Sequence, residues 1–276
     1  KSIFEQKKPD IQIWDRTDLI LQIFKKHAST AEAKLQIQLA DVRHKGSETR
    51  EINLSLSKQG SGVGSRGQGE TNTVLLKRMW KDEMRSIRKH LEKMSANRTR
   101  QIEHRRRIGL PTISIVGYTN AGKSTLFNLL SKKNTKDENA LFVTLDSSVG
   151  KIYLPKLERE AFITDTIGFV QNLPTDLIDA FTSTLLETVN ADLLLHVIDI
   201  SDSQMVEKIA VVENILKNLK LQTKKQIYVF NKVELATNDK TRELKEQFAS
   251  FHPQFISAKT GDGTQELVET IQKELM

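Results

Sequence analysis

The stretch GYTNAGKST (Gly117–Thr125) follows directly on an apolar run, TISIV, and fits the pattern GxxxxGK[ST]. No other feature restricts the fold as much, because this pattern requires a buried strand that turns abruptly into a helix. In that setting the backbone N–H groups of Asn120, Ala121, Gly122, Lys123 and Ser124 wrap a triphosphate, helped by the positive end of the helix. The Lys123 ammonium reaches the β- and γ-phosphates, and the Ser124 hydroxyl, with Thr125 next in the loop, faces a Mg²⁺ ion. Gly117 and Gly122 let the backbone approach where a Cβ would intrude. An accidental glycine turn ahead of a helix is the plainer alternative, and the strand in front of the loop argues against it.

From Thr112 onward strand and helix alternate, the signature of an α/β fold with a mainly parallel sheet and helices on both faces. Strands are expected at Thr112–Val116, Lys151–Leu154, Ala161–Thr164, Leu193–Ile198, Gln226–Phe230 and Gln254–Ile256. Helices are expected at Lys123–Ser131, Leu177–Val189, Met205–Leu219, Asp239–Phe248 and Gln265–Leu275. Gly109 and Pro111 stop the preceding helix, so this domain is taken as residues 111–276.

Four further boxes follow the loop, in the order found in Ras-like P-loop GTPases. In DTIG (Asp165–Gly168), Asp165 holds Mg²⁺ and the Gly168 N–H meets the γ-phosphate. Thr144 is the choice for the switch threonine that completes the Mg²⁺ shell, with Thr135 as a rival. NKVE (Asn231, Lys232, Val233, Glu234) follows the strand IYVF, where guanine is read. SAK (Ser257, Ala258, Lys259) follows the last strand and supports the base. Either DxxG or SAK alone carries no weight; five boxes in order at strand ends do.

Three positions depart from the usual pattern. Glu234 stands where an Asp normally accepts from guanine N1–H and the 2-amino group; its extra methylene moves the carboxylate by about 1.5 Å. Either it still selects guanine, or it merely caps the following segment. Phe169 follows DTIG where efficient enzymes carry a water-orienting Gln, so slow intrinsic hydrolysis is expected, with Phe169 only excluding solvent. Asn120 is either the ion-coordinating amide of a potassium-assisted GTPase or a turn-forming Asn.

The first half has a different character. Residues 1–110 carry 24 Lys+Arg against 13 Asp+Glu, while residues 111–276 carry 18 against 22. A balance of that kind suits contact with a polyanion, although solvated helix faces also produce it. Five of the 13 glycines fall between Gly60 and Gly69. Before them, Leu19 to Val42 carries helical periodicity behind a cap at Asp15 or Thr17; after them, Trp80, Met84, Ile87, Leu91 and Met94 step as a coiled-coil seam. Two such helices pack most simply as an antiparallel α-helical hairpin over residues 17–110, with the glycine-rich loop at its tip. The second helix ends in a basic cluster containing Arg105, Arg106 and Arg107. The stub Ile11–Asp15 reads as a short strand, so residues 1–16 are taken as the remnant of a missing N-terminal domain.

Cysteine is absent, which excludes disulfides, thiolate metal sites and cysteine nucleophiles. No apolar run approaches the roughly 18 residues that span a bilayer. With no secretory signal at the start, the expectation is a soluble cytoplasmic monomer, an organellar form staying open.

The chain is similar to the HflX family of translation-associated GTPases over nearly its whole length. The likeness lies in WDRT (Trp14–Thr17), GSGVGSRGQGET (Gly60–Thr71), RRRIGLPT (Arg105–Thr112), VGYTNAGKSTLFN, FVTLD around Thr144, DTIGFVQNLP (Asp165–Pro174) and ADLLLHVID (Ala191–Asp199). It implies binding of GTP or GDP with Mg²⁺, K⁺ being a further candidate ion. It also implies a large ribosomal subunit as partner, ribosome-stimulated hydrolysis, and a part in splitting ribosomes. The hairpin then meets rRNA, with Arg66 in the loop and Arg105, Arg106 and Arg107 at its base touching phosphate. The other reading is an RNA-binding module whose nucleotide pocket is vestigial.

Overall fold

The computed structural model describes residues 13–59, 69–131, 148–166, 168–169 and 182–276, and their side chains except at 47–59, 69–73 and 182–184. By its contacts the chain divides into two compact units, the first ending at Asn97 and the second opening at Arg98.

In the first unit, helix α1 (Arg16–His27) opens with a reciprocal capping box: Asp18 N donates to Asp15 Oδ1 at 2.8 Å, and Asp15 N to Asp18 Oδ2 at 3.0 Å. Asp15 is therefore the cap, not Thr17. The strand expected at Ile11–Asp15 lies partly outside the described residues, and its described part, 13–15, is not strand. The single helix expected from Leu19 to Val42 is two, α1 and α2 (Ala31–Gln59). Ala28 is extended, and Thr30 Oγ1 accepts from Ala33 N at 3.1 Å, so a second cap interrupts a continuous apolar period. The two helices pack through buried Ile20, Leu21, Phe24, Ala33, Ile37 and Ala40, and Lys25 reaches Asp41 at 3.1 Å.

Helix α3 (Gly69–Arg107) runs antiparallel to α2. Gln38 Nε2 donates to Glu83 Oε1 at 2.9 Å, and the Trp80 ring lies against Gly46. Ile87 of the expected seam is buried, and Trp80, Met84, Leu91 and Met94 are half-buried. The glycine-rich stretch 60–68 lies outside the described residues.

In the second unit a six-stranded sheet has the order β2-β3-β1-β4-β5-β6. The strands are β1 (Thr112–Gly117), β2 (Ser148–Leu154), β3 (Arg159–Asp165), β4 (Leu193–Asp199), β5 (Lys225–Asn231) and β6 (Gln254–Phe255). All neighbours are parallel except β2 and β3. Among the described residues, helices α4 (Lys123–Ser131), α5 (Thr182–Asn190), α6 (Met205–Asn218), α7 (Asn238–Gln247) and α8 (Thr264–Glu274) belong to the same unit. Every residue of β1 is buried, as a strand covered on both faces requires. Ile113 and Ile115 join one core with Leu126, Phe127, Leu195 and Ile271, while Val116 joins the opposite one with Leu185, Leu194 and Val212. Alternate residues of one strand thus feed two cores.

The last turns of α3 pack with this second unit. Ile102 and Arg105 are 7% and 9% exposed, so the packing boundary precedes the Gly109–Pro111 turn by about three helical turns.

Candidate functional site

The carboxyl ends of β1, β3, β4 and β5 converge on one edge of the sheet, where the chain leaves β1 for α4 while its neighbours β3 and β4 lie on either side. In open α/β sheets such an edge is the usual ligand crevice. Gly117 ends β1 so close to β4 that a Cβ would lie 2.3 Å from the Val197 carbonyl oxygen. Asn120, exposed, takes a left-handed conformation at φ 63°, which Asn tolerates better than most residues. Gly122 has φ 92°, and a Cβ there would lie 2.1 Å from Asn231 Nδ2. Both features fold the loop back so that α4 begins at Lys123 with its first turn at the crevice.

Lys123 is only 6% exposed, and its Nζ donates to the Tyr118 carbonyl at 2.8 Å. Burial lowers its pKa to about 8, the nearby Asp165 carboxylate opposing the shift. Ser124 Oγ donates to Asp165 Oδ2 at 2.7 Å. Thr166 fixes the end of β3 by donating to the Ile115 carbonyl at 2.7 Å. Gly168 then passes so near that a Cβ would stand 2.9 Å from Lys123 Nζ. The next residue bridges back to the loop: Phe169 N donates to Gly117 O at 3.0 Å, and Thr119 N to Phe169 O at 2.9 Å. Phe169 itself is 4% exposed and sits in the core with Val116 and Leu185. Apolar burial draws the ring into that core, away from any role in aligning a water by hydrogen bonding.

At the other end of the crevice, Asn231 joins two loops. Its Nδ2 donates to the Ala121 carbonyl at 2.9 Å, and its Oδ1 accepts from Ala258 N at 2.9 Å. Lys232, left-handed at φ 69°, donates to Asp199 Oδ2 at 2.6 Å. Glu234 is exposed in a short 3₁₀ turn, Val233–Leu235. It does not cap the next helix, because Thr237 does, accepting from Lys240 N at 3.3 Å. Ser257 is buried and its Oγ accepts from Thr260 N at 3.1 Å, shaping the loop that carries Ala258 and exposed Lys259.

The structure thus brings together Gly117, Asn120, Ala121, Gly122, Lys123, Ser124, Thr125, Asp165 and Gly168 at one end, and Asn231, Lys232, Glu234, Ser257, Ala258 and Lys259 at the other. Thr144, Thr135 and Arg66 lie outside the described residues. Arg105 is a correction: its guanidinium turns inward to Glu187, at 2.7 and 3.1 Å, and is not offered to a polyanion, whereas Arg106 and Arg107 are exposed. Asp199, Glu187 and the Tyr118 carbonyl escaped the motif reading because no fixed spacing marks them; each is a partner chosen by the fold. Among the described residues no helix is long and apolar enough to cross a membrane.

Two family profiles match the chain, one described as the GTP-binding GTPase middle region over residues 27–105, the other as 50S ribosome-binding GTPase over residues 112–232. The GTPase HflX of Caldanaerobacter subterraneus subsp. tengcongensis is 40% identical across 96% of this chain and 60% of its own length. That of Escherichia coli K12 is 35% identical across 96% and 62%. The chain therefore spans about three-fifths of the length of these curated relatives. Among solved structures, a GTP-binding protein from Sulfolobus solfataricus in complex with GDP superposes with a TM-score of 0.57 at 25% identity, over 95% of this chain and 72% of that one. The similarity to the HflX GTPases is thus continuous through both the helical region and the phosphate-loop domain of this chain.

Proposed function

We propose that the chain binds GTP with Mg²⁺, hydrolyses it slowly to GDP and phosphate, and acts on the large ribosomal subunit, whose contact speeds turnover and where it promotes ribosome splitting. The observation that carries this reading is the grouping of buried Lys123, the Ser124–Asp165 hydrogen bond and Gly168 at the phosphate loop, with Asn231 tying that loop to the base-reading end.

A hydroxyl and a carboxylate 2.7 Å apart form the hard-oxygen donor set that Mg²⁺ prefers, so the residues present fit the ion. Ser124 and Asp165 would hold it, with Thr144, outside the described residues, as the proposed further ligand, and the ion would supply charge neutralisation to the triphosphate. The N–H groups from Asn120 to Ser124 hold the phosphates, and Lys123 exchanges the Tyr118 carbonyl for them. The Gly168 N–H orients the γ-phosphate for in-line attack by water, which breaks the bond to the β-phosphate oxygen. Phe169, the residue directly after Gly168, belongs to the core and has no group that could align that water by hydrogen bonding. That supports slow intrinsic turnover, with Asn120 the residue to hold K⁺ if the ion contributes. Glu234 is accessible to accept from guanine N1–H and the 2-amino group. Arg106 and Arg107, with Arg66, serve as rRNA phosphate contacts, which makes binding salt-dependent.

Titration with fluorescent GDP and GTP analogues tests the nucleotide reading. Lys123→Ala and Ser124→Ala are expected to weaken binding by at least tenfold, the scale of one lost hydrogen bond to a charged group. Unchanged affinity in both variants would contradict it.

A further inference from the structure

Arg105 and Glu187 form a two-pronged ion pair whose side chains are only 11% and 3% exposed. The Arg105 guanidinium also lies 5.4 Å from the centre of the Phe162 ring. Charges withdrawn from water in this way seldom stabilise a fold more than apolar residues of equal volume would. The position of the pair gives it another use. Gly168 lies beside Lys123 Nζ, and Phe169 follows in backbone contact with Tyr118 and Thr119. Phe169 shares its core cluster with Leu185 on α5, two residues before Glu187. On the same helix, Thr188 Oγ1 and Ser114 Oγ of β1 are hydrogen-bonded at 3.1 Å. Glu187 then grips Arg105 on α3. A continuous packed and hydrogen-bonded path therefore runs from the phosphate end of the crevice to the last turns of α3.

We propose that Arg105 and Glu187 couple the phosphate end of the site to residues 98–107 of α3, so that the nucleotide held and whatever engages this stretch of helix bias each other. The inference rests on the nucleotide reading above and adds regulation to it. A γ-phosphate drawing on the Gly168 N–H pulls on Phe169, which cannot shift within its core without carrying α5. The two hydrogen bonds from Arg105 to Glu187 then carry that movement to α3. By linkage the influence is mutual: a polyanion on exposed Arg106 and Arg107 alters the relative affinity for GTP and GDP. Arg105 and Glu187 are positioning residues and touch no nucleotide.

The test is amide hydrogen exchange in residues 98–107 of the whole chain, loaded with GDP or with the non-hydrolysable analogue GMPPNP. The wild type is expected to differ between the two by on the order of fivefold. In Arg105→Met/Glu187→Leu, which replaces both charges and so leaves none buried alone, the difference should vanish while both nucleotides still bind. A purely structural pair would change exchange equally in the two loaded states. The proposal is overturned if the difference survives in the double variant, or if the wild type binds both nucleotides and exchanges alike. Failure of the wild type to bind either nucleotide would instead overturn the underlying reading, and the coupling with it.

Discussion

Ser124 Oγ donates a 2.7 Å hydrogen bond to Asp165 Oδ2, joining the first turn of α4 to the end of β3 across 41 residues of sequence. Neither residue is held there by the other alone. Ser124 is placed by the loop that Gly122 folds, and Asp165 by the parallel register that sets it beside Ile115. Two independent local structures thus deliver one hydroxyl and one carboxylate to the same point. If that point is the Mg²⁺ site, Asp165→Asn should reduce the affinity gained for GDP on adding Mg²⁺ over EDTA by about 10- to 100-fold. Titration in the two buffers measures the gain directly, and an intact gain would place the ion elsewhere.

Gly122→Ala is expected to be among the more damaging single-methyl additions in the second unit. The new Cβ would meet Asn231 Nδ2 at 2.1 Å in a backbone conformation with φ 92°. Displacing Asn231 breaks both of its hydrogen bonds, so a loss of about 2–4 kcal/mol in urea unfolding is expected. Loss of nucleotide binding should accompany it.

Three consecutive arginines should behave differently. Arg105→Ala strands Glu187 as a buried carboxylate and should cost about 3–5 kcal/mol of stability. Arg106→Ala and Arg107→Ala remove exposed charges and should change stability by less than about 0.5 kcal/mol. Those two should instead lower the salt dependence of RNA binding, each by about one unit of slope in a plot of log affinity against log salt. Parallel unfolding and filter-binding series separate the two behaviours.

Two buried bases make the stability of the nucleotide-free chain rise with pH in two separate windows. His196 is 1% exposed, and burial, with some repulsion from Lys123, lowers its pKa to about 3. Its folded pKa lies below the unfolded value near 6.5, so the unfolded chain binds the extra proton between those values. Stability from this source is complete above about pH 6.5 and falls on acidification, by up to about 5 kcal/mol. His196→Leu should flatten that limb. Lys123 works in the same direction higher up: with a folded pKa of about 8, it makes stability rise between about pH 8 and 10.5. Lys123→Met should remove the rise, as urea midpoints across pH would register.

The phosphate loop and the sheet were legible in the sequence because both rest on local rules. A glycine pattern fixes a turn, and runs such as TISIV and IYVF have nowhere to go but a strand covered on both faces. All six strands fall within a few residues of their expected places. The helix break at Ala28–Thr30 was hidden because the apolar period runs straight through it; only the hydroxyl of Thr30 shows that a new helix starts. Arg105 was hidden for the opposite reason. A run of arginines looks like solvated charge until a carboxylate from a distant helix, Glu187, is folded against one of them. Partners that meet only through tertiary structure leave no spacing to read.

GTP hydrolysis by this chain in potassium buffer, with and without purified large ribosomal subunits, tests the account most directly, with Lys123→Ala as the blank. Slow turnover alone and a rise of at least tenfold with subunits, absent in the variant, is the predicted result, a modest value for a GTPase whose partner completes its site. Subunit binding without any hydrolysis would contradict it and leave an RNA-binding module with an idle nucleotide pocket.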